Sequence, residues 1–204
     1  MVQPLALAGR APRGVLLRTA SRGPLDGGTR LGLPLAPPLR MGFDLAARHP
    51  LEVAVGHLDA AAHAGLLDLA ALVRWLEQRH DDDVVAVRAA AALADARAES
   101  PPESVCRVRL LSAGYDVVPQ HQVTDARGFV ARVDLALVAL RIAIEYEGRW
   151  HAQLASQLHR DRDRLNRLRE AGWAVVFVTA EVLRERGALE DAVRRAAAQR
   201  LAAA

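Results

Sequence analysis

The chain has 204 residues, of which 51% are hydrophobic and 25% charged, a balance typical of globular proteins and unlike that of disordered ones. Its single cysteine, Cys106, excludes an internal disulfide framework and a multi-cysteine zinc site. All 27 basic residues are arginine, so a mechanism that needs a catalytic lysine is excluded. Phosphate contacts must then come from guanidinium groups, backbone amides or histidine. The net charge of +3 is mild and by itself gives weak support for nucleic-acid binding.

No apolar run reaches the roughly 18 residues that a membrane-spanning helix needs. The N-terminal stretch lacks a basic start followed by a long apolar segment, so it does not resemble a secretory signal. We therefore expect no membrane partner and a cytoplasmic location.

The first half of the chain predicts a helical region without a chemical motif. Glycine and proline throughout the first forty residues predict loops, with short strands at Val15–Arg18 and Thr29–Leu33. Alanine and leucine at helical spacing predict helices between residues 41 and 97. His57, Asp59 and His63 lie on an alanine-rich helix, where we expect surface or packing roles rather than metal binding.

A domain boundary is predicted near residue 99, which divides the chain into residues 1–98 and 99–204. Ser100-Pro-Pro-Glu103 is typical of a helix start, with Ser100 as N-cap, proline at the first helical position and Glu103 at the third. The elements after it are predicted in the order α-β-β-β-α-β-α, the last strand being a buried apolar run, AVVFVTA. The expected fold class is α/β (mixed α+β), with a helical N-terminal region followed by a mixed sheet flanked by helices.

Three carboxylates lie on two adjacent predicted strands in this second half. Asp134 lies in RVDLALV, and Glu145 and Glu147 lie on one face of RIAIEYEG. If the connecting turn is centred near residues 138–140, Asp134 lies almost opposite Glu145, and the two charges repel. A divalent cation would offset that repulsion, and an oxygen-only ligand set suits Mg²⁺ or Mn²⁺. The alternative is that these are ordinary solvent-facing residues of an amphipathic sheet.

Further candidates flank the hairpin. Glu103 completes a capping box, yet its helical spacing to Cys106 also predicts an inward position near the acids. His151 follows a glycine turn and is a candidate proton donor, although a lone histidine in a loop is commonly structural. On the arginine-rich helix after it, Asp161 shares the apolar face and Arg164 follows one turn later, whereas Asp163 fits a solvated position.

Taken together, these motifs resemble those of the very-short-patch-repair (Vsr)-like endonucleases. The similarity is to a family of unknown function common in actinobacteria and often found behind an AbiEi-type antitoxin winged helix. It covers about residues 99–204 and rests on four segments, with family-like residues at the same relative places. These segments are Ser100-Pro-Pro-Glu103, Arg132-Val-Asp134, Ile144-Glu145-Tyr-Glu147-Gly148-Arg-Trp-His151, and Arg160-Asp161-Arg-Asp-Arg164 through Gly172-Trp173-Ala-Val175.

The resemblance implies the PD-(D/E)XK nuclease fold and Mg²⁺-dependent cleavage of DNA, with Mn²⁺ as an alternative cation. Asp134 and Glu145 match that fold's metal-binding carboxylates, and Glu147 stands where a lysine is usual, as a further ligand or water-orienting group. Glu103, His151 and Asp161 complete the catalytic set, and Arg149, Arg160 and Arg164 are expected to contact DNA.

A second hypothesis keeps the nuclease fold without the activity. The acid in place of the usual lysine suggests altered chemistry, and the winged helix expected before such a domain is missing or shortened. The chain would then be a catalytically weak or inactive regulator of the antitoxin type, or an interaction scaffold with a protein partner.

Overall fold

The computed structural model describes residues 29–30, 33–148 and 155–202, and side chains over 35–148 and 162–202. The strand predicted at Val15–Arg18 lies outside the described residues. Where a single strand is predicted at Thr29–Leu33, β1 (Thr29–Arg30) pairs antiparallel with β2 (Leu33–Pro34). Four helices follow, and they lie within or overlap the predicted helical stretch: α1 (Pro38–Ala46), α2 (Leu51–His63), α3 (Leu69–Glu77) and α4 (Val84–Leu93).

The four helices bury one apolar core, because each presents leucine, valine or alanine at helical spacing to the others. Leu58, Leu72 and Val87 are fully buried in it. Local sequence sets the helix ends: Asp68 caps α3 by accepting a hydrogen bond from the Ala71 backbone N–H at 3.0 Å. His57 and His63 each contact a backbone carbonyl oxygen through Nδ1, of Leu45 and Ala96 respectively, in agreement with the packing role expected for them.

The next helix, α5 (Pro101–Ser112), begins at the predicted residue. Ser100 Oγ accepts from the Glu103 backbone N–H at 3.4 Å, as a capping serine does. Val108 packs into the core of the first four helices, whereas Cys106 and Leu110 pack against the sheet. Helix α5 therefore contributes both to the helical core and to a core cluster on the sheet.

The sequence predicts a mixed sheet, and the structure has a four-stranded mixed sheet that carries two further clusters of buried residues. Its strands are β3 (Val118–Asp125), β4 (Gly128–Leu137), β5 (Ile142–Glu147) and β6 (Ala174–Thr179), in the order β3-β4-β5-β6. The first three are antiparallel, and β5 pairs in parallel with β6. Helix α6 (Ala155–Glu170) lies between β5 and β6 in the chain, and α7 (Ala180–Arg184) and α8 (Ala188–Ala202) close the described part.

One prediction about the sheet is confirmed for the strand but wrong for its burial. The run AVVFVTA is predicted from the sequence to be a buried strand, yet Val178 is the one residue of β6 that is fully buried, and Phe177 is 40% exposed. The reason is position: β6 is at an edge of the described sheet and has a neighbouring strand on one side. Composition alone does not distinguish a central apolar strand from an apolar edge.

Across the described residues, no helix combines the length and the apolar character that crossing a membrane requires.

Candidate metal site on the acidic hairpin

The β4–β5 hairpin places Asp134 opposite Glu145. Its connection is a single 3₁₀ turn at Val138–Leu140, the position on which the expected opposition of the two acids depended. The strand register pairs Leu135 with Ile144, and one further step along both strands brings the two acids into opposition. Directly opposed residues of an antiparallel pair have side chains on the same face of the sheet. The hairpin therefore brings two carboxylates from neighbouring strands together.

Asp134 is partly buried, and its carboxylate is held by the neighbouring strand. Oδ2 accepts a hydrogen bond from the Tyr146 backbone N–H at 2.9 Å. The pKa of Asp134 is nevertheless raised, chiefly because burial disfavours the charged form; the negative charges of Glu103 and Glu99 act in the same direction. The Tyr146 N–H and the Arg164 guanidinium lower the pKa, but do not cancel the effect of burial.

Glu145 is more strongly perturbed. Burial raises its pKa from 4.5 to about 7, and the charges of Asp134 and Glu103 add to the effect. The guanidinium of Arg164 opposes the shift by charge and by hydrogen bonding, without reversing it. A carboxyl group that titrates near neutral pH beside a second partly buried acid carries negative charge that the protein solvates poorly. Such perturbed pairs occur preferentially at functional sites.

Arg164 reaches this pair from α6. Its NH2 group donates to Glu145 Oε1 and to the main-chain oxygen of Arg132, the latter at 3.1 Å. The Glu145 side chain is 13% exposed and that of Arg164 is 32% exposed, so the ion pair lies at the border between the sheet and solvent. Helix α6 can place the residue there because Leu168, one turn later, is buried against the sheet.

Glu103 is buried and fully hydrogen-bonded. Oε1 accepts from Ser100 Oγ at 2.7 Å, while Oε2 accepts from the Glu99 N–H at 3.1 Å and from Gln120 Nε2 at 2.9 Å. The two expectations for Glu103 are both met: it caps α5, and it points inward close enough for its charge to affect Asp134 and Glu145. Because each oxygen already has a donor, Glu103 acts on the two acids through its charge and through the network that it anchors.

Sequence reasoning missed Gln120. This residue lies between the pairs Pro119–Leu135 and His121–Val133, which places it opposite Asp134 on the other side of β4. Its backbone has φ of +52°, a conformation uncommon outside glycine, and its side chain joins β3 to Glu103. The strand carries polar residues at most of its positions, so the sequence offers no signal that singles out Gln120.

The structure brings together Glu103, Asp134, Glu145 and Arg164, but not every expected member of the site. Glu147 is exposed near the end of β5, and its role as a third ligand stays a prediction. His151 and Arg149 lie outside the described residues. Asp161 and Arg160 belong to α6, but their side chains lie outside the described part of the structure.

Two carboxylates are compatible with Mg²⁺, although not as a closed protein cage. Among the described residues, no three histidine, cysteine, aspartate or glutamate side chains are grouped so that they could hold a metal ion. Mg²⁺ characteristically keeps several waters and uses one or two carboxylates together with substrate phosphate oxygens. Asp134 and Glu145, poorly solvated and opposed across a hairpin, fit that open arrangement, with Mn²⁺ as the alternative for the same oxygen ligands.

Cys106 is next to this cluster but is not a candidate nucleophile. It is 1% exposed, and burial raises the pKa of its thiol to about 12, with the charges of Asp134 and Glu103 acting in the same direction. The thiolate is the reactive form of cysteine, and it is therefore scarce here.

Two curated proteins of Mycobacterium tuberculosis are similar to this chain, Uncharacterized protein MT2308 and Uncharacterized protein Rv2248. Each is 38% identical over 122 residues, which are 58% of this chain and 45% of the relative. The chain thus spans less than half the length of these relatives, and their names state no activity. No family model and no solved structure matches the chain. The function must therefore be argued from the site.

Proposed function

We propose that the protein is a metal-dependent endodeoxyribonuclease that hydrolyses phosphodiester bonds in DNA. One observation carries the proposal: Asp134 and Glu145 oppose each other on adjacent strands, and burial raises the pKa of both. Such a pair favours a divalent cation. The resemblance of residues 99–204 to the Vsr-like nucleases supports the same interpretation, although it remains an expectation.

In this proposal Asp134 and Glu145 hold Mg²⁺, which when bound would supply Lewis acidity and a water of lowered pKa. The protein contributes orientation. The Tyr146 N–H fixes Asp134, and the network of Glu103, Ser100 and Gln120 holds α5 and β3 against the hairpin. A carboxylate whose orientation is already fixed by hydrogen bonds loses less conformational entropy when it binds a cation.

Arginines beside the acids are suited to DNA phosphate. Arg164 and Arg167 are three residues apart on α6 and so share a face. They donate to the main-chain oxygens of Arg132 and Phe129, respectively, and both therefore lean over β4. Guanidinium groups bind phosphate oxygens in a planar, bidentate manner. Arg149 and Arg160 remain candidate DNA contacts outside the described side chains.

The test is nicking of supercoiled plasmid in the presence of Mg²⁺ or Mn²⁺, with EDTA to remove the cation. Asp134→Asn removes the charge but keeps an oxygen that can accept from the Tyr146 N–H, so the fold should persist while nicking is lost. Asp163→Asn is the matched control, because Asp163 is an exposed acid of the same type on α6. Undiminished nicking by the Asp134→Asn variant would refute the assignment.

A catalytically weak or inactive protein is the second candidate, acting as an antitoxin-type regulator or scaffold with a protein partner. Two observations favour it: Glu147 stands in place of a lysine, and Glu145 is already paired with Arg164. Calorimetric titration with Mn²⁺ separates the candidates. For the nuclease, Mn²⁺ binding should give a saturable heat that is lost in Asp134→Asn. For a scaffold, no such Asp134-dependent binding heat should be seen.

A further inference from the structure

The Arg164–Glu145 ion pair has a property that the nuclease proposal does not use. The guanidinium contacts one of the two carboxylates that the proposal assigns to the cation. Among the described residues, its NH2 group alone has hydrogen-bond partners; Nε and NH1 have none. Within that part of the chain, Nε and NH1 are therefore the donors with which the guanidinium can first engage an incoming phosphate.

A divalent cation on Glu145 and the guanidinium of Arg164 would stand within a few ångströms of each other. Like charges at that separation repel strongly where water screens them poorly. Glu145 is short, mostly buried and attached to a strand, whereas Arg164 is long and more exposed. Arg164 is therefore the partner that can move when the cation binds.

DNA offers Arg164 a better position. A phosphate presents two oxygens to the planar guanidinium and matches its donors bidentately, whereas here NH2 shares its hydrogen bonds between one carboxylate oxygen and a carbonyl. The anchor of Arg164 at the main-chain oxygen of Arg132 keeps the side chain near β4. The movement from Glu145 to a phosphate bound over β4 is thus a change of side-chain rotamer that leaves α6 in place.

Resting on the proposed nuclease function, we propose that Arg164 is a positioning residue that couples DNA binding to metal binding. Without DNA its guanidinium neutralises Glu145 and weakens cation binding. A DNA phosphate draws Arg164 away and leaves the carboxylate for the cation. Because coupling between two binding sites is reciprocal, the cation must strengthen DNA binding by the same factor.

Metal affinity, measured without turnover, tests this coupling. Mn²⁺ is titrated calorimetrically into the full chain and its Arg164→Gln and Arg164→Lys variants. Arg164→Gln should bind Mn²⁺ roughly tenfold more tightly than the unaltered chain, within the usual range of coupling between sites. Arg164→Lys retains the charge and should stay closer to the unaltered chain. Arg167→Gln is the matched control, because Arg167 leans over β4 from the same face of α6 and donates to a carbonyl.

The reciprocal arm uses a fluorescein-labelled DNA duplex with phosphorothioate linkages, which resist hydrolysis. In the unaltered chain Mn²⁺ should lower the Kd of the duplex, as measured by fluorescence anisotropy. In Arg164→Gln this effect of Mn²⁺ should become smaller, because only the part due to phosphate oxygens bound directly by the cation remains, while Arg167→Gln should weaken DNA binding equally with and without Mn²⁺. Thermal melting checks that each variant is folded.

The outcomes separate the two proposals. If Mn²⁺ binds saturably and Asp134→Asn abolishes binding, but Arg164→Gln leaves the affinity unchanged or lowers it, the coupling role is refuted and the metal site stands. If neither the unaltered chain nor Arg164→Gln binds Mn²⁺ in a way that Asp134→Asn abolishes, the metal site itself is refuted.

Discussion

Replacement of Glu145 by glutamine tests the electrostatics of the site in the absence of any metal. The Glu145 side chain is only 13% exposed, and burial raises the pKa of its carboxyl group from 4.5 to about 7. Glu145→Gln keeps the shape and one acceptor for Arg164 but cannot ionise. The variant therefore no longer bears the cost of a buried charge, and its free energy of unfolding should respond to pH differently from that of the unaltered chain.

The magnitude follows from the two pKa values. Because the folded-state pKa lies above the unfolded value, the stabilisation by the protonated form is complete below pH 4.5 and is lost as the pH rises through about 7. The folded and unfolded pKa values differ by about 2.5, and each pKa unit is worth 1.36 kcal/mol, so the free energy of unfolding changes by about 3 kcal/mol. The stability of Glu145→Gln relative to the unaltered chain should rise by that amount between pH 4.5 and 8, and then level off.

The assay is urea denaturation of both proteins in EDTA at several pH values between 4.5 and 8.5. Glu147→Gln, which replaces an exposed glutamate two residues further along the same strand, is the matched control for exchanging a carboxylate for an amide on β5. A difference for Glu145→Gln that is flat or falls with pH would refute the reasoning, since it would mean that burial does not penalise the charge at this position.

Two further predictions concern the stability of the fold. Asp59 and Arg107 are 1% and 4% exposed and their side chains meet at 2.7 Å, so Asp59→Asn leaves Arg107 charged and buried without its partner. Urea denaturation should show that the free energy of unfolding falls by about 3–5 kcal/mol. A fall of less than about 1 kcal/mol would contradict this account. Ser100→Ala removes the N-cap of α5 and a donor to Glu103, so stability should fall by about 1 kcal/mol, whereas Ser112→Ala, at the exposed end of the same helix, should be nearly neutral.

The features that the sequence predicted correctly depend on neighbours in the chain. The start of α5 follows from Ser100 and the two prolines after it, because capping and backbone restriction act within one turn. Helix α6 ends before Gly172, whose φ of +79° is the left-handed conformation that glycine adopts readily. The register of the acidic hairpin follows from the position of its turn, so the opposition of Asp134 and Glu145 follows once the turn lies at Val138–Leu140.

The features that the sequence could not predict join segments that are distant in the chain. Asp59 was expected to be a surface or packing residue and is a buried packing residue, but its partners, the Asp95 N–H and Arg107, 48 residues away, could not be predicted from neighbouring residues. Gln120 joins β3 to Glu103, and Arg164 joins α6 to Glu145. Composition did not reveal that β6 lies at an edge of the described sheet.

Local sequence thus determined the elements and the two opposed carboxylates, because turns, caps and strand alternation are properties of a few consecutive residues. Tertiary structure decided the burial of those carboxylates, the raised pKa of Asp134 and Glu145, and the guanidinium that neutralises one of them. Desolvation and ion pairing depend on which distant segments pack together, and that packing is a property of the whole fold.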